Sequence, residues 1–350
     1  MDIKTMIDQK GQGRYMQPAT SLDDELGDLM FLPGTWQNSD RFQDRGWNMI
    51  ALPFSDPIAG GTDPRDYRVL ANQYNETLFL KTADKGVPNR GVLKPSDTNL
   101  DQTLIALDYE QAIKQVKAAD SPPSGLAGDP QKPIHHEPGL WLHMLNHHKP
   151  GANIARLGTI PHGNSLLALG TAEPIDATNI ENLIPEVNPF PVLTGISQVP
   201  LDDPLERYLQ PYAEFVEPTN TFFPSGLDLR NLHGLLQAST PANILRGMKY
   251  SVSTGVETGG IVNTPFIVDR ADATEMHSTF WIFELEELDQ FGKPAMVMQY
   301  MQFIMLDFFD KFDGSGEKIR WPHISLNTMI RTSDDYSYGE EQIRSMMSDI

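Results

Sequence analysis

The sequence has no cysteine. That excludes disulfides, thiolate zinc sites, iron–sulfur clusters and thiolate ligation of any other metal, and it fits a reducing compartment. Basic residues are scarce: 27 Lys and Arg stand against 47 Asp and Glu, for a formal net charge of −20. Nucleic acid is therefore not an expected partner, because phosphate binding needs clustered cations. The acidity reads as solubility. No apolar run approaches the roughly 18 residues that cross a bilayer as a helix. The opening MDIKTMIDQKGQGRY holds no apolar secretory segment. The expectation is a cytoplasmic protein without a membrane span. There is no P-loop, dinucleotide fingerprint, G-x-S-x-G elbow, internal repeat or low-complexity tract.

What is present is strand-forming sequence. With 350 residues, 39% of them hydrophobic, the chain can bury one large core or two ordinary ones. Residues 1–25 read as a polar arm. A short helical pattern follows (Leu26, Leu29, Met30) and passes through the Pro33-Gly34 turn into a strand at Thr35-Trp36. GWNMIALPF (46–54), ETLFLKT (76–82), QTLIALDYEQAIKQV (102–116), GLWLHML (139–145), IARLGTI (154–160) and NSLLALGTA (164–172) are β-branched or aromatic runs between turn residues. Their short, regular spacing predicts an antiparallel meander or barrel rather than βαβ units.

Ten prolines between 174 and 241 interrupt this rhythm, and such sequence does not sit in central strands. DPLERYLQPYAEF and GLDLRNLHGLLQ read as short helices there. Phe, Leu and Tyr are too frequent for a solvated linker, so the segment is expected to pack over the barrel as a lid. Strands resume at GIVNTPFIVDR (260–270), STFWIFELEEL (278–288), AMVMQYMQFIMLDFF (295–309) and KIRWPHISLNTMIRT (318–332), the third apolar on both faces. The prediction is thus an all-β-dominated chain, an antiparallel up-and-down barrel with a long proline-rich, partly helical insertion. Its parts are an arm (1–25), barrel (26–173), insertion (174–247), barrel (248–333) and acidic tail (334–350).

Five stretches in order carry a resemblance: LPGTWQN, NETLFL, PIHHEPGLWL, IARLGTIPHGNSLLALG and WPHISLNTMIRT. Together they resemble the nitrobindin-like haem-binding β-barrels, relatives in fold of the fatty-acid-binding proteins. The resemblance implies haem b, bound through the closing-strand histidine, here His323. It implies further contacts from Thr35, Trp36, His135 and Trp141, and redox chemistry with peroxide or nitrogen oxides, or conversion of an apolar substrate. The insertion is foreign to that family. The residues after His323 depart from its pattern, which implies a one-residue offset or a bulge there.

The residues themselves support such a site without fixing it. A haem slot needs apolar walls and one neutral imidazole with a free nitrogen. His323 shares a strand face with Ser325 and Asn327 and would point at whatever a barrel encloses; the alternative is an edge histidine bonded to a carbonyl. His162, in the Pro161-His162-Gly163 turn, is the candidate acid–base residue for a small oxidant, or else a solvated turn residue. His135 and His136 face opposite sides of any strand, so HHE reads as a strand entrance rather than a metal site. His143, His147 and His148 read as strand and turn. Met296, Met298, Met301 and Met305 read as adaptable core. The rival functions are a haem-free carrier of a fatty acid or other apolar ligand and a structural or partner-binding protein using the insertion; an isomerase or a peroxidase-like oxidoreductase are the enzyme classes left open.

Overall fold

The computed structural model describes residues 17–42, 45–54, 67–89, 102–146, 149–176, 180–194, 197–198, 209–217, 219–224, 227–311 and 314–333. The strands that build its main body are β1 (Gly34–Gln37), β2 (Gly46–Pro53), β3 (Tyr67–Thr82), β4 (Gln102–Ser121), β5 (Pro133–Met144), β6 (Ile154–Ile160), β7 (Asn164–Pro174), β8 (Ile244–Ser253), β9 (Asp272–Leu288), β10 (Pro294–Asp310) and β11 (Lys318–Ser333). Each pairs antiparallel with the next from β3 to β11. β1 and β2 share one position, both pairing β3 on one side and β11 on the other, so the sheet closes into a barrel of ten strands. Among the described residues, closure leaves neither end of the main sheet as a free edge, and alternate residues of its strands point inward.

The alternation sorts the apolar residues into two cores. Trp36, Leu78, Leu107, Trp141, Tyr250, Phe280, Ile282, Met298 and Met329 fill one end of the barrel's interior. A 3-10 helix, Asp24–Phe31, adds Leu26, Leu29 and Phe31 to that filling. It bends at Gly27, whose φ of 50° is a conformation that glycine adopts without penalty. Tyr250 Oη donates to Asp28 O at 2.5 Å, and Trp36 Nε1 donates to Leu32 O at 2.9 Å. His143 Nδ1 lies 3.0 Å from Glu25 O. These bonds hold the plug where its backbone would otherwise lose water without replacement.

The second core lies mainly on the outer face of the wall and extends to the end opposite the plug, where Leu306, Phe308, Ile319 and Trp321 join it. The described part of the insertion places Leu209, Tyr212, Phe215, Phe223, Leu229, Leu235 and Leu236 against the outer faces of β2, β3, β9, β10 and β11. Trp47 meets Phe223 at 5.2 Å between ring centroids and Phe222 at 5.8 Å. Lys117 Nζ sits 5.1 Å over Trp47 and 4.7 Å over Phe222. These residues pack against the barrel, and through Tyr212 and Tyr67 they reach Trp321, on the same strand face as His323. β10 is apolar on both faces for that reason, with Met296 and Met298 inside and Val297 and Met301 under the insertion.

Several elements differ from expectation. Residues 67–75 extend β3, and the barrel resumes at Ile244 rather than 248. In GIVNTPFIVDR only Gly260–Asn263 is strand; Pro265–Arg270 is a helix, entered by proline in its first turn, where no N–H partner is needed. The expected offset just after His323 does not occur: β10 and β11 pair without a register shift from Val297↔Ile330 to Phe308↔Ile319, and β11 shifts against β1 only between Arg331 and Ser333. The early arm, His147, His148 and the tail from 334 lie outside the described residues. Among the described residues, no helix is long and apolar enough to cross a membrane.

Candidate functional site

At the end away from the 3-10 helix, the inward-facing Asn48, Ile50, Leu70, His135, Gln302, Ile304, His323 and Ser325 all keep partial contact with solvent. Trp36, Trp47, Trp281 and Trp321, by contrast, are sealed. This open end is where the histidines gather.

His323 pairs with Ile304 across β10–β11 and faces inward with Ser325 and Asn327. Its Nε2 is shielded from water and has no hydrogen-bond partner. Burial drops its pKa to about 3, with the neighbouring His135 and His162 adding to the effect. At neutral pH the ring is therefore uncharged and presents a nitrogen to the interior. His135, at the start of β5, places its Nε2 3.4 Å from Glu137 Oε2. The His135 ring lies 5.7 Å from that of His162. His162 itself is exposed in the turn joining β6 and β7, and partial burial with the nearby His135 lowers its pKa. His136 turns the other way and lies 2.8 Å from Glu110, as adjacent strand positions require.

Beneath the histidines lies a polar layer. Arg156 Nη2 donates to Glu137 Oε1 at 2.9 Å and its Nη1 to Gln302 Oε1 at 2.7 Å. Tyr109 Oη donates to Glu137 as well. Burial pushes the Glu137 carboxyl up, but Arg156, His135 and Tyr109 outweigh it and hold the pKa at about 2. Two glycines make the space. A Cβ on Gly158 would lie 2.7 Å from the Tyr109 hydroxyl and closer still to Glu137, while one on Gly139 would strike Tyr109 and the Leu157 carbonyl. Alongside, Glu76 accepts from Tyr300 at 2.5 Å, Gln111 at 2.7 Å and Asn327 at 2.8 Å; burial raises its pKa. A separate hollow of about 410 Å³ opens in the wall where β1 and β2 part and reaches Glu76, not the histidines.

The structure thus brings His323, His135 and His162 together and leaves the other expected contacts apart from them. Trp36 and Trp141 belong to the filled end. Trp36 pairs with Arg331, eight positions along β11 from His323, or roughly 26 Å. Trp141 is stacked edge-on against Phe280. Thr35 faces outward, its hydroxyl buried and without a partner. Among the described residues, no cluster of three or more His, Asp or Glu side chains is spaced to hold a bare metal ion. His323 does offer one shielded, neutral imidazole nitrogen without a partner, the donor type that a haem would require. The interior polar residues Tyr109, Arg156, Asn48, Asn72 and Gln302 were not singled out from sequence. Their signal is polar residues recurring at every second position, as in Asn72, Tyr74 and Glu76, but it becomes readable only with the register known.

No family model matches the chain, and no curated protein sequence matches it. Among solved structures, the chain is similar to one titled "Crystal Structure of Rv2717c from M. tuberculosis", at 13% identity and a TM-score of 0.33. That match covers 87% of this chain and 98% of the other. The likeness is distant.

Proposed function

We propose that the open end of the barrel binds haem b through Nε2 of His323 and that the protein is a haem-dependent oxidoreductase acting on a small oxidant such as peroxide or a nitrogen oxide. The observation that carries this reading is the His323 Nε2 itself: a buried donor atom left without a partner. Such an atom costs about 1–3 kcal/mol unless something binds it. Low ring basicity keeps it available as a ligand across the neutral range. Haem, when bound, supplies an iron able to take up and activate the oxidant.

The chain's own residues supply the rest. Ile50, Ile113 and Ile304 face the same interior and give apolar wall. His162, at the rim with a lowered pKa, is suited to take a proton from an incoming oxidant and return it. Glu137, kept ionised by Arg156, orients His135 beside His162. The carrier alternative is weaker, because an apolar acid needs an apolar slot and an unpaired cation. Here the apolar end is filled, and the interior Arg156 is already neutralised by Glu137. The test is titration of haem into the purified full-length protein. A saturable Soret band with one-to-one stoichiometry supports the proposal; a protein that stays colourless but extracts fatty acid supports the carrier.

A further inference from the structure

The open end carries a second feature that haem ligation by His323 does not use. Among the described residues, the buried side-chain atoms lacking a partner on the barrel's inner face are His323 Nε2, Asn48 Oδ1 and Asn72 Oδ1. All three lie on one wall. Asn48 pairs with Ser325 across β2–β11 and with Asn72 across β2–β3, so the two carboxamides sit side by side one layer below His323.

The orientation of Asn72 is fixed by its neighbours rather than free to flip. The Asp129 backbone carbonyl can only accept, so Gln115 must turn Nε2 toward it, at 3.1 Å. Gln115 then presents Oε1 to Asn72, which must answer with Nδ2, at 2.7 Å. Oδ1 of Asn72 is left facing the interior, on a residue only 4% exposed. A carbonyl oxygen accepts and cannot donate, so whatever completes this wall must bring N–H or O–H groups. Ile50 and Leu70 pair one layer further toward the mouth on the same face, and offer apolar contact beyond the polar pair.

We infer that Asn48 and Asn72 form a subsite for the donor-bearing head of a small amphiphile, a primary amine or an alcohol with a short apolar body, and that it rejects carboxylates. The subsite stands apart from the iron reading and is tested on the full chain without added haem. Side-chain amide signals of Asn72, Asn48 and Gln115 are followed by NMR while n-pentylamine, 1-pentanol or pentanoate is titrated in. The amine and the alcohol should shift these signals saturably, and pentanoate should not. Asn72→Leu, close in shape but without the acceptor, should weaken amine binding at least about ten-fold, the scale of one charge-assisted hydrogen bond. If that variant does not fold, Asn48→Leu is read for the same loss. Absence of saturable shifts with both donor probes would mean that ordered water alone fills the wall, and would overturn the inference. So would pentanoate binding as tightly as the amine, or a folded leucine variant with unchanged amine affinity.

Discussion

Glu137 and Arg156 meet inside the barrel at 2.9 Å with side chains 1% and 3% exposed, and Tyr109, Gln302, Ser278 and His135 surround the pair with further polar contacts. Buried pairs of this kind add little net stability over an apolar replacement, but removing one partner strands the other. Arg156→Leu should therefore destabilise the fold by about 3–5 kcal/mol, with much of that loss recovered in the Arg156→Leu, Glu137→Leu double variant. Urea melts of the four proteins in the cycle measure it. A single variant as stable as the parent would show that the pair is solvated.

The same carboxylate sets an acid limit. Its pKa falls from 4.5 to about 2 on folding, so the unfolded chain takes up the proton first as pH drops. The contribution to stability is full above the unfolded value and is lost as pH falls from about 4.5 toward 2. Glu137→Gln should flatten the pH dependence in that window and leave it unaltered between pH 6 and 8. Denaturant melts at stepped pH read this directly.

The insertion should behave as part of the barrel's structure. Phe223 packs against Trp47, Phe215 and Phe222 in the outer core. Phe223→Ala should cost about 3–5 kcal/mol. Barrel and insertion should still melt in one transition, detected identically by tryptophan fluorescence and far-ultraviolet circular dichroism. Two separate transitions would mean that the cladding is dispensable.

His162 lies at the rim, close to His135 but outside the buried layer. His162→Ala should leave haem content unchanged while slowing peroxide-driven turnover by about 10²–10⁴-fold, the usual value of general acid–base help. An unchanged rate would return His162 to the ordinary turn residues.

Most of the wall could be read from sequence, because half-buried antiparallel strands announce themselves by β-branched runs between turn residues. Ile154–Ile160 coincides with the expected span. Residues 67–75 do not announce a strand, because Asn72, Gln73 and Asn75 look like turn formers; in the closed barrel Asn72 finds Gln115 instead. Pro265–Arg270 reads as strand because Phe266, Ile267 and Val268 favour strands, whereas the proline ahead of them starts a helix. At the site, the histidine end could be anticipated from the strand placement of His323. The Glu137–Arg156 pair and the Asn48–Asn72 wall could not, because both depend on cross-strand register, and a slip of one residue reverses every side chain.

The most direct measurement is the absorption spectrum of His323→Ala after haem reconstitution, beside that of the parent. An alanine in this strand should leave a folded barrel. The account predicts loss or strong weakening of haem retention, with added imidazole restoring a histidine-ligated spectrum by entering the vacated space. Retention of haem with unaltered ferric and ferrous spectra would show that His323 does not hold the iron.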